Sequence, residues 1–316
     1  MNGGTGCPQR ICLSCGAREP IRSGEPVWPV GRPCHACGRS VPERAGIPLL
    51  APELAESVPG FDLDAFEMLA RIEATHFWFV ARNTLIVGLA DRYFPNARRY
   101  LEIGCGNGAV LQALAASRSW DRLVGSDLHP AGLAHASQRL PWGVEFVQMD
   151  ARVIPAVDAF DLTGAFDIVE HVADDDAVLQ ALRRATSPGG GTIMAVPQHP
   201  WLWSRSDEIG HHQRRYRLGE LEAKLKRNGF EVLFSSSYTV LLLPLMALSR
   251  LKARLRPAEG DTDVLREMDI EPGPNRVLTA LLRAEVRLTL AGLRWPLGGS
   301  RVVVARATTQ SSDTFG

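Results

Sequence analysis

The stretch Arg98–Val110, "RRYLEIGCGNGAV", constrains the fold more than any other part of the chain. Tyr100 to Ile103 read as a buried strand, which runs into a turn with glycines at 104, 106 and 108 and then into a helix from about Val110 to Ala116. Alternate glycines let a backbone turn sharply and come close to a ligand, because no Cβ stands in the way. A strand, a glycine turn and a helix in that order form the nucleotide-binding corner of a doubly wound α/β sheet.

The turn alone leaves the ligand open, since Gly104, Gly106 and Ala109 also satisfy the G-x-G-x-x-A dinucleotide pattern. Three carboxylates narrow it. Glu102 lies inside the first strand, two residues before the first glycine. Asp127 ends a second strand, "RLVGSD", where a carboxylate can bind ribose hydroxyls. Asp150 ends a third, "VEFVQMD", where it can meet an adenine amino group. A fourth strand, "AFDLTGAFD", leads into "IVEHVADDD".

This ordered set resembles the class I S-adenosylmethionine-dependent methyltransferases, in particular the ubiquinone-biosynthesis-like branch with "EHV" after the fourth strand. The resemblance spans roughly residues 76–235 and implies a doubly wound, seven-stranded Rossmann-like sheet that binds S-adenosylmethionine. It implies cofactor contacts from Glu102, Gly104, Cys105 and Gly106 at the first turn, and from Asp127 and Leu128 after the second strand. Asp150 and Ala151, then Ala165 and Glu170, follow at the third and fourth. "HFWFVAR", His76 to Arg82, resembles a segment that precedes the first strand in bacterial members, and implies that Arg82 grips the methionine carboxylate of the cofactor. A guanidinium suits that bidentate pairing. Cys105 reads as a small residue that fits the turn.

Four of the six cysteines form two pairs, Cys12/Cys15 and Cys34/Cys37, spaced C-x2-C-x18-C-x2-C. That spacing predicts a four-thiolate zinc site, with Gly16 and Gly38 freeing the backbone after each pair. Residues 1–47 are rich in proline and glycine and poor in apolar side chains, so metal takes the place of a core. The segment reads as a zinc ribbon, a structural knob in preference to a recognition module for a substrate, carrier or second subunit. Lysine plus arginine and aspartate plus glutamate balance at 35 each. No global field attracts nucleic acid, and the expected compartment is the cytoplasm.

Residues 48–97 read as a linker followed by helices, and 98–237 as the cofactor-binding core. Strands are expected at 99–103, 122–126, 144–148, 160–166, 191–197 and 230–236, with "SPGGG" at 187–191 as a turn. Gly104, Asp127, Asp150, Ala165 and Gln198 should share the carboxyl rim, where such sheets bind ligands. The loop 199–217, "HPWLWSRSDEIGHHQRRYR", also resembles a stretch of the same branch. It carries His199, His211 and His212, and is expected to orient the acceptor. His211, then His212, His199 and His171, are candidate general bases, since histidine titrates near neutral pH. Asp167, Glu170 and His171 repeat a pattern that holds a divalent cation in ubiquinone-type enzymes, against the plainer reading of a helix cap.

The last strand, 300–307, comes late, so residues 238–299 form a helical insertion. Leu248, Leu251 and Leu255 against Arg250, Lys252, Arg254 and Arg256 suggest either a lid over the substrate or a membrane-docking helix, with the lid preferred. The tail from Thr308 reads as disordered. The expected activity is methyl transfer to a small, apolar or carrier-linked acceptor. The alternatives are an RNA methyltransferase and a non-catalytic scaffold that binds S-adenosylmethionine.

Overall fold

The computed structural model describes residues 7–57, 63–255 and 270–308. Seven strands form the central sheet: β1 Arg99–Ile103, β2 Arg122–Asp127, β3 Val144–Gln148, β4 Phe160–Phe166, β5 Thr186–Pro197, β6 Phe230–Tyr238 and β7 Ser300–Ala307. Their order is β6-β7-β5-β4-β1-β2-β3. The sheet is parallel from β5 across to β3, and β7 inserts antiparallel between β5 and β6. One continuous rung joins Val147, Ser126, Ile103, Ala165 and Met194. The carboxyl ends of five strands therefore emerge at one level. The doubly wound sheet expected from the sequence is the fold that forms.

The strands are apolar on both faces because helices cover both faces. Leu101, Ile103, Val124 and Met194 are fully buried. Helix α1 spans Leu63–Ile72 and α2 spans Phe77–Tyr93. Ala81, Leu85, Ile86, Leu89 and Ala90 form the buried stripe of α2, at the spacing of one helix face. Helices α3 Ala109–Ser117, α4 Pro130–Arg139 and α5 Asp175–Ala185 lie in the β1–β2, β2–β3 and β4–β5 crossovers, and α6 Arg205–Ile209 and α7 Glu220–Arg227 follow β5.

Three expectations need correction. "SPGGG" is not a turn before β5. The strand starts at Thr186 and runs through an irregularity between Thr186 and Gly191. Thr186 pairs with Phe160, and a Cβ on Gly191 would stand 2.2 Å from the Phe94 ring and 2.3 Å from the Ala305 carbonyl. Gly190 and Gly191 serve close packing within the sheet, whereas Gly189, at φ 79° with open space around it, serves the irregularity.

The cysteine-rich segment is no separate knob. Its strand Gln9–Ile11 pairs with Arg18–Pro20 on one side and with Ala156–Val157 of the core on the other. The Val27 amide donates to Glu145 at 2.8 Å, Arg122 donates to the Glu25 carbonyl, and Trp28 donates to the Pro155 carbonyl. Ile21, Val27 and Trp28 join the main core. Leu49 makes a parallel bridge to Gln148 of β3, so the N-terminal segment covers an edge that would otherwise expose unpaired backbone groups.

The insertion holds two described helices, α8 Leu243–Leu255 and α9 Pro272–Leu290. Helix α9 lies along α2: Asn275 accepts from the Phe77 amide, Leu290 packs over Gly88, and Arg92 donates to the Leu290 carbonyl. It belongs to the body of the domain and is no roof. The side chains from Arg250 to Arg256, including Leu251, Lys252, Arg254 and Leu255, lie outside the described residues, as do residues 256–269 and the tail from 309.

Candidate functional site

The glycine turn sits at the end of β1 with Gly104, Gly106 and Gly108 all at positive φ, 65°, 50° and 75°. A Cβ on Gly104 would fall 2.0 Å from Ile168, whereas one on Gly106 meets nothing within 4 Å. Gly106 therefore borders open space, as a cradle for a ligand requires. Its amide donates to Asp127 at 2.9 Å, and the His129 amide donates to the other carboxylate oxygen at 2.9 Å. Asp127 is thereby fixed beside the turn. Leu128 follows it, its carbonyl accepting from Gln148. Cys105 is buried.

Glu102 is buried beneath the turn, and Tyr100 donates to it at 3.4 Å. Burial pushes its carboxyl up to about 8, against the pull of the Arg82 charge. Arg82, on α2, lies over the Trp78 ring at 4.5 Å and donates to Asp167 at 2.7 Å. The aromatic residues before it thus serve as a platform for its guanidinium. Asp150 is engaged by Arg152 at 2.7 Å, and Ala151 packs against the core. Ala165 is fully buried on the shared rung, with Asp167 two residues further on at the rim. Gln198 is also fully buried, held by a donated bond from Ser237.

The loop after β5 folds back across this rim. The Gln213 amide donates to the Glu170 carbonyl at 2.7 Å. A short helix, α6 Arg205–Ile209, begins with a reciprocal cap between Ser204 and Asp207. Asp207 is 1% exposed and takes four hydrogen bonds: two from Ser204, one from Arg215 at 2.7 Å, and one from His212 Nδ1 at 2.9 Å. Burial alone would raise its carboxyl, but the bonds from His212 and Arg215 hold it down at about 2. Asp207 and Arg215 were not singled out from the sequence. The five-residue spacing of an aspartate and a histidine on one loop is the signal that points to them.

The histidines separate. His171 and His212 meet edge to face, ring centres 4.6 Å apart. Glu170, His171 and His212 offer one ligand atom each within 4.8 Å of one another. His211 instead is exposed, with φ of 55°. His199 is buried and stacks on Trp201, its Nε2 unpartnered. Asp167, grouped with Glu170 and His171 in the sequence, is spent on Arg82, and His212 stands in its place. Burial and the neighbouring His212 push His171 down to about 4.

At the N-terminal segment, Cys12 and Cys37 Sγ lie 3.8 Å apart and Cys15 and Cys34 Sγ 3.7 Å apart. A tetrahedral ion with ~2.3 Å bonds to sulfur requires edges of about 3.8 Å. All four thiols are free, and Gly16 and Gly38 adopt the positive φ of such turns. The geometry is compatible with zinc.

Residues 101–190 match a family described as a methyltransferase domain. A trans-aconitate 2-methyltransferase of Acidovorax sp. is 35% identical over 111 residues, covering 35% of this chain and 43% of that protein. A ubiquinone biosynthesis O-methyltransferase of Paracidovorax citrulli is 28% identical over 151 residues, 43% of this chain and 63% of that one. The chain thus spans about half the length of the curated relatives it matches. Among solved structures, a chain from the complex of the Haloferax volcanii Trm112 methyltransferase activator with a methyltransferase superposes with TM-score 0.52. It is 20% identical and covers 78% of this chain and 98% of its own. Among the described residues no helix is long and apolar enough to cross a membrane.

Proposed function

We propose that the chain is a class I S-adenosylmethionine-dependent methyltransferase that transfers the methyl group to a small acceptor. One observation carries this reading: Gly106 borders open space and is hydrogen-bonded to Asp127, the carboxylate that ends β2. A nucleoside fits there, with its ribose hydroxyls on Asp127. Arg82, already held at the rim, is placed for the methionine carboxylate of the cofactor, exchanging Asp167 for it. Glu102 lies beneath, where the cofactor's ammonium would draw off its proton.

The sulfonium is an activated leaving group, so the protein's part is to position donor and acceptor in line and exclude water. The loop from His199 to Arg217 supplies the acceptor side. If the acceptor must lose a proton, the group at Glu170, His171 and His212 is better placed than His211, because the pair of Asp207 and Arg215 fixes it from beneath. Leu241, just before α8, and Leu245 and Leu248 on it are exposed, and α8 packs against the turn Pro200–Leu202 that carries exposed Trp201. That apolar surface favours an apolar or carrier-linked acceptor. The cysteine-rich segment holds zinc and serves to cap the β3 edge.

The test is transfer of labelled methyl from S-adenosylmethionine to a panel of apolar alcohols, phenols and amines. Gly106→Asn, which tolerates the φ of 50° and puts a side chain into the open space, should abolish transfer while thermal unfolding stays cooperative. Equal transfer by that variant would refute the placement of the cofactor.

A further inference from the structure

Helix α9 has a second apolar face that the fold does not use. On its inner side Leu282, Val286 and Thr289 are buried, and Leu278 and Leu290 pack against the core. The Glu285 carboxylate accepts from the Val240 and Leu241 amides, which ties the helix to the start of α8. On the outer side Val277, Leu281, Ala284 and Leu288 follow one another at the spacing of a single helix face, and all four are exposed. Val277 is 62% exposed, Leu281 42% and Leu288 48%. Leu293 and Leu297, beyond the end of the helix, are exposed as well. Apolar side chains gathered on one surface in this way mark a contact with something outside the chain.

The charges beside the stripe say what that is. Arg276, Arg283 and Arg287 are exposed, and each immediately precedes a residue of the stripe. They therefore form a row about 100° round the helix from it, along one border. None of the three has an ion-pair partner among the described residues. From Pro272 to Gly299 the sequence holds four arginines and a single acid, Glu285, which is buried and already bonded. The whole chain balances 35 basic against 35 acidic residues, so this surface segregates positive charge that the composition does not call for.

We propose that the outer face of α9 docks on the surface of a membrane rich in anionic lipid. Val277, Leu281, Ala284 and Leu288 enter the boundary of the acyl chains, and Arg276, Arg283 and Arg287 lie among the phosphate headgroups. The stripe occupies one face only, so the helix lies in the surface and does not cross it. A second copy of this chain fits the face less well: an isologous contact sets the same patch against itself, and no exposed acid is there to meet the arginines. The helix is already folded and fixed to α2 through Asn275 and Arg92, so docking requires no ordering of a segment. The sequence singled out the run from Leu248 to Arg256 for such a role, whereas the stripe lies on the other helix of the insertion, where the exposure of alternate turns becomes visible only once the inner face is packed. Docking does not rest on the methyltransferase reading, since none of these residues belongs to the glycine turn or its carboxylates.

The probe is a sucrose-loaded vesicle, either of phosphatidylcholine alone or of equal parts phosphatidylcholine and phosphatidylglycerol, sedimented with the full chain. The chain should sediment with the anionic vesicles, stay in solution with the neutral ones, and be released at about 0.5 M sodium chloride. Each arginine near such a surface strengthens partitioning about fivefold, so Arg276→Gln, Arg283→Gln and Arg287→Gln together should weaken it about 100-fold. Leu281→Ser with Leu288→Ser should weaken it about 30-fold, because each leucine would bury roughly half of its side chain anew. All five side chains face solvent, and a cooperative thermal melt confirms that the variants fold. A wild-type chain that ignores the anionic vesicles overturns the proposal. So does binding that the leucine variant keeps in full, which is attraction by charge alone, and binding that the arginine variant keeps in full, which places the contact elsewhere. A dimer on gel filtration that the leucine variant dissociates, without vesicle binding, makes a second copy the occupant and also overturns it. Calorimetric titration of the same samples with S-adenosylmethionine separates the two readings: nucleoside binding without vesicle binding removes only the docking face, and vesicle binding without nucleoside binding removes only the methyltransferase reading.

Discussion

Glu102→Gln should stabilise the cofactor-free protein above neutral pH and do little below pH 5. Burial raises the Glu102 carboxyl from 4.5 to about 8. A raised carboxyl favours the folded state only while it is protonated. That contribution is whole below pH 4.5 and fades as pH rises to about 8. Over this window the wild type should lose about 1.4 kcal/mol per pH unit relative to the glutamine variant, approaching ~5 kcal/mol in all. Glutamine keeps an acceptor for the Tyr100 hydroxyl, and its amide adds a pH-independent offset of about 1 kcal/mol at most. The quantity to read is therefore the change with pH of the difference between the two proteins. Urea unfolding followed by tryptophan fluorescence at intervals from pH 5 to pH 9 measures it. The difference should widen steadily and level off near pH 9. A constant difference would show that Glu102 titrates normally, and the account of a buried acid poised beneath the glycine turn would fail.

Gly104→Ala should cost about 3 kcal/mol or more, because the methyl group would overlap Ile168 at a positive φ, and a thermal melt would report it. Asp207→Ala should cost about 3–5 kcal/mol, since it strands the buried Arg215 guanidinium; a loss below ~1 kcal/mol in the same melt would refute the network. Cys15→Ser should lower the stability of the sheet as well as the ribbon, because Val27 and Trp28 bury against the core. Hydrogen exchange in β3 should rise in that variant, and unchanged protection would make the segment an independent unit.

The strands of the parallel sheet were legible because each is a short apolar run ended by a chemically marked residue, as Asp127 ends β2 and Asp150 follows β3. The start of β5 was not, because "SPGGG" has the composition of a turn, while Gly191 answers to Phe94 and Ala305, residues remote in sequence. The cysteine spacing dictates four ligands held within two short loops, and the sulfur distances agree with it. Spacing says nothing of where the opposite face goes, and the contacts of Val27 with Glu145 and of Leu49 with Gln148 come from the tertiary fold. The same holds at the rim. Glu170 and His171 were visible as neighbours, but Asp167 was assigned to them by proximity in the chain. A partner 85 residues away, Arg82, claims it instead. His212 takes its place through a loop whose course depends on Asp207, Arg215 and the bond from Gln213 to Glu170.

The most direct measurement is a native mass spectrum of the protein purified without added ligand and then soaked in S-adenosylmethionine. One zinc and one S-adenosylmethionine or S-adenosylhomocysteine per chain, with the nucleoside lost in Gly106→Asn, is the result this account predicts. Zinc without nucleoside, even after soaking, would contradict it and leave the sheet as a scaffold.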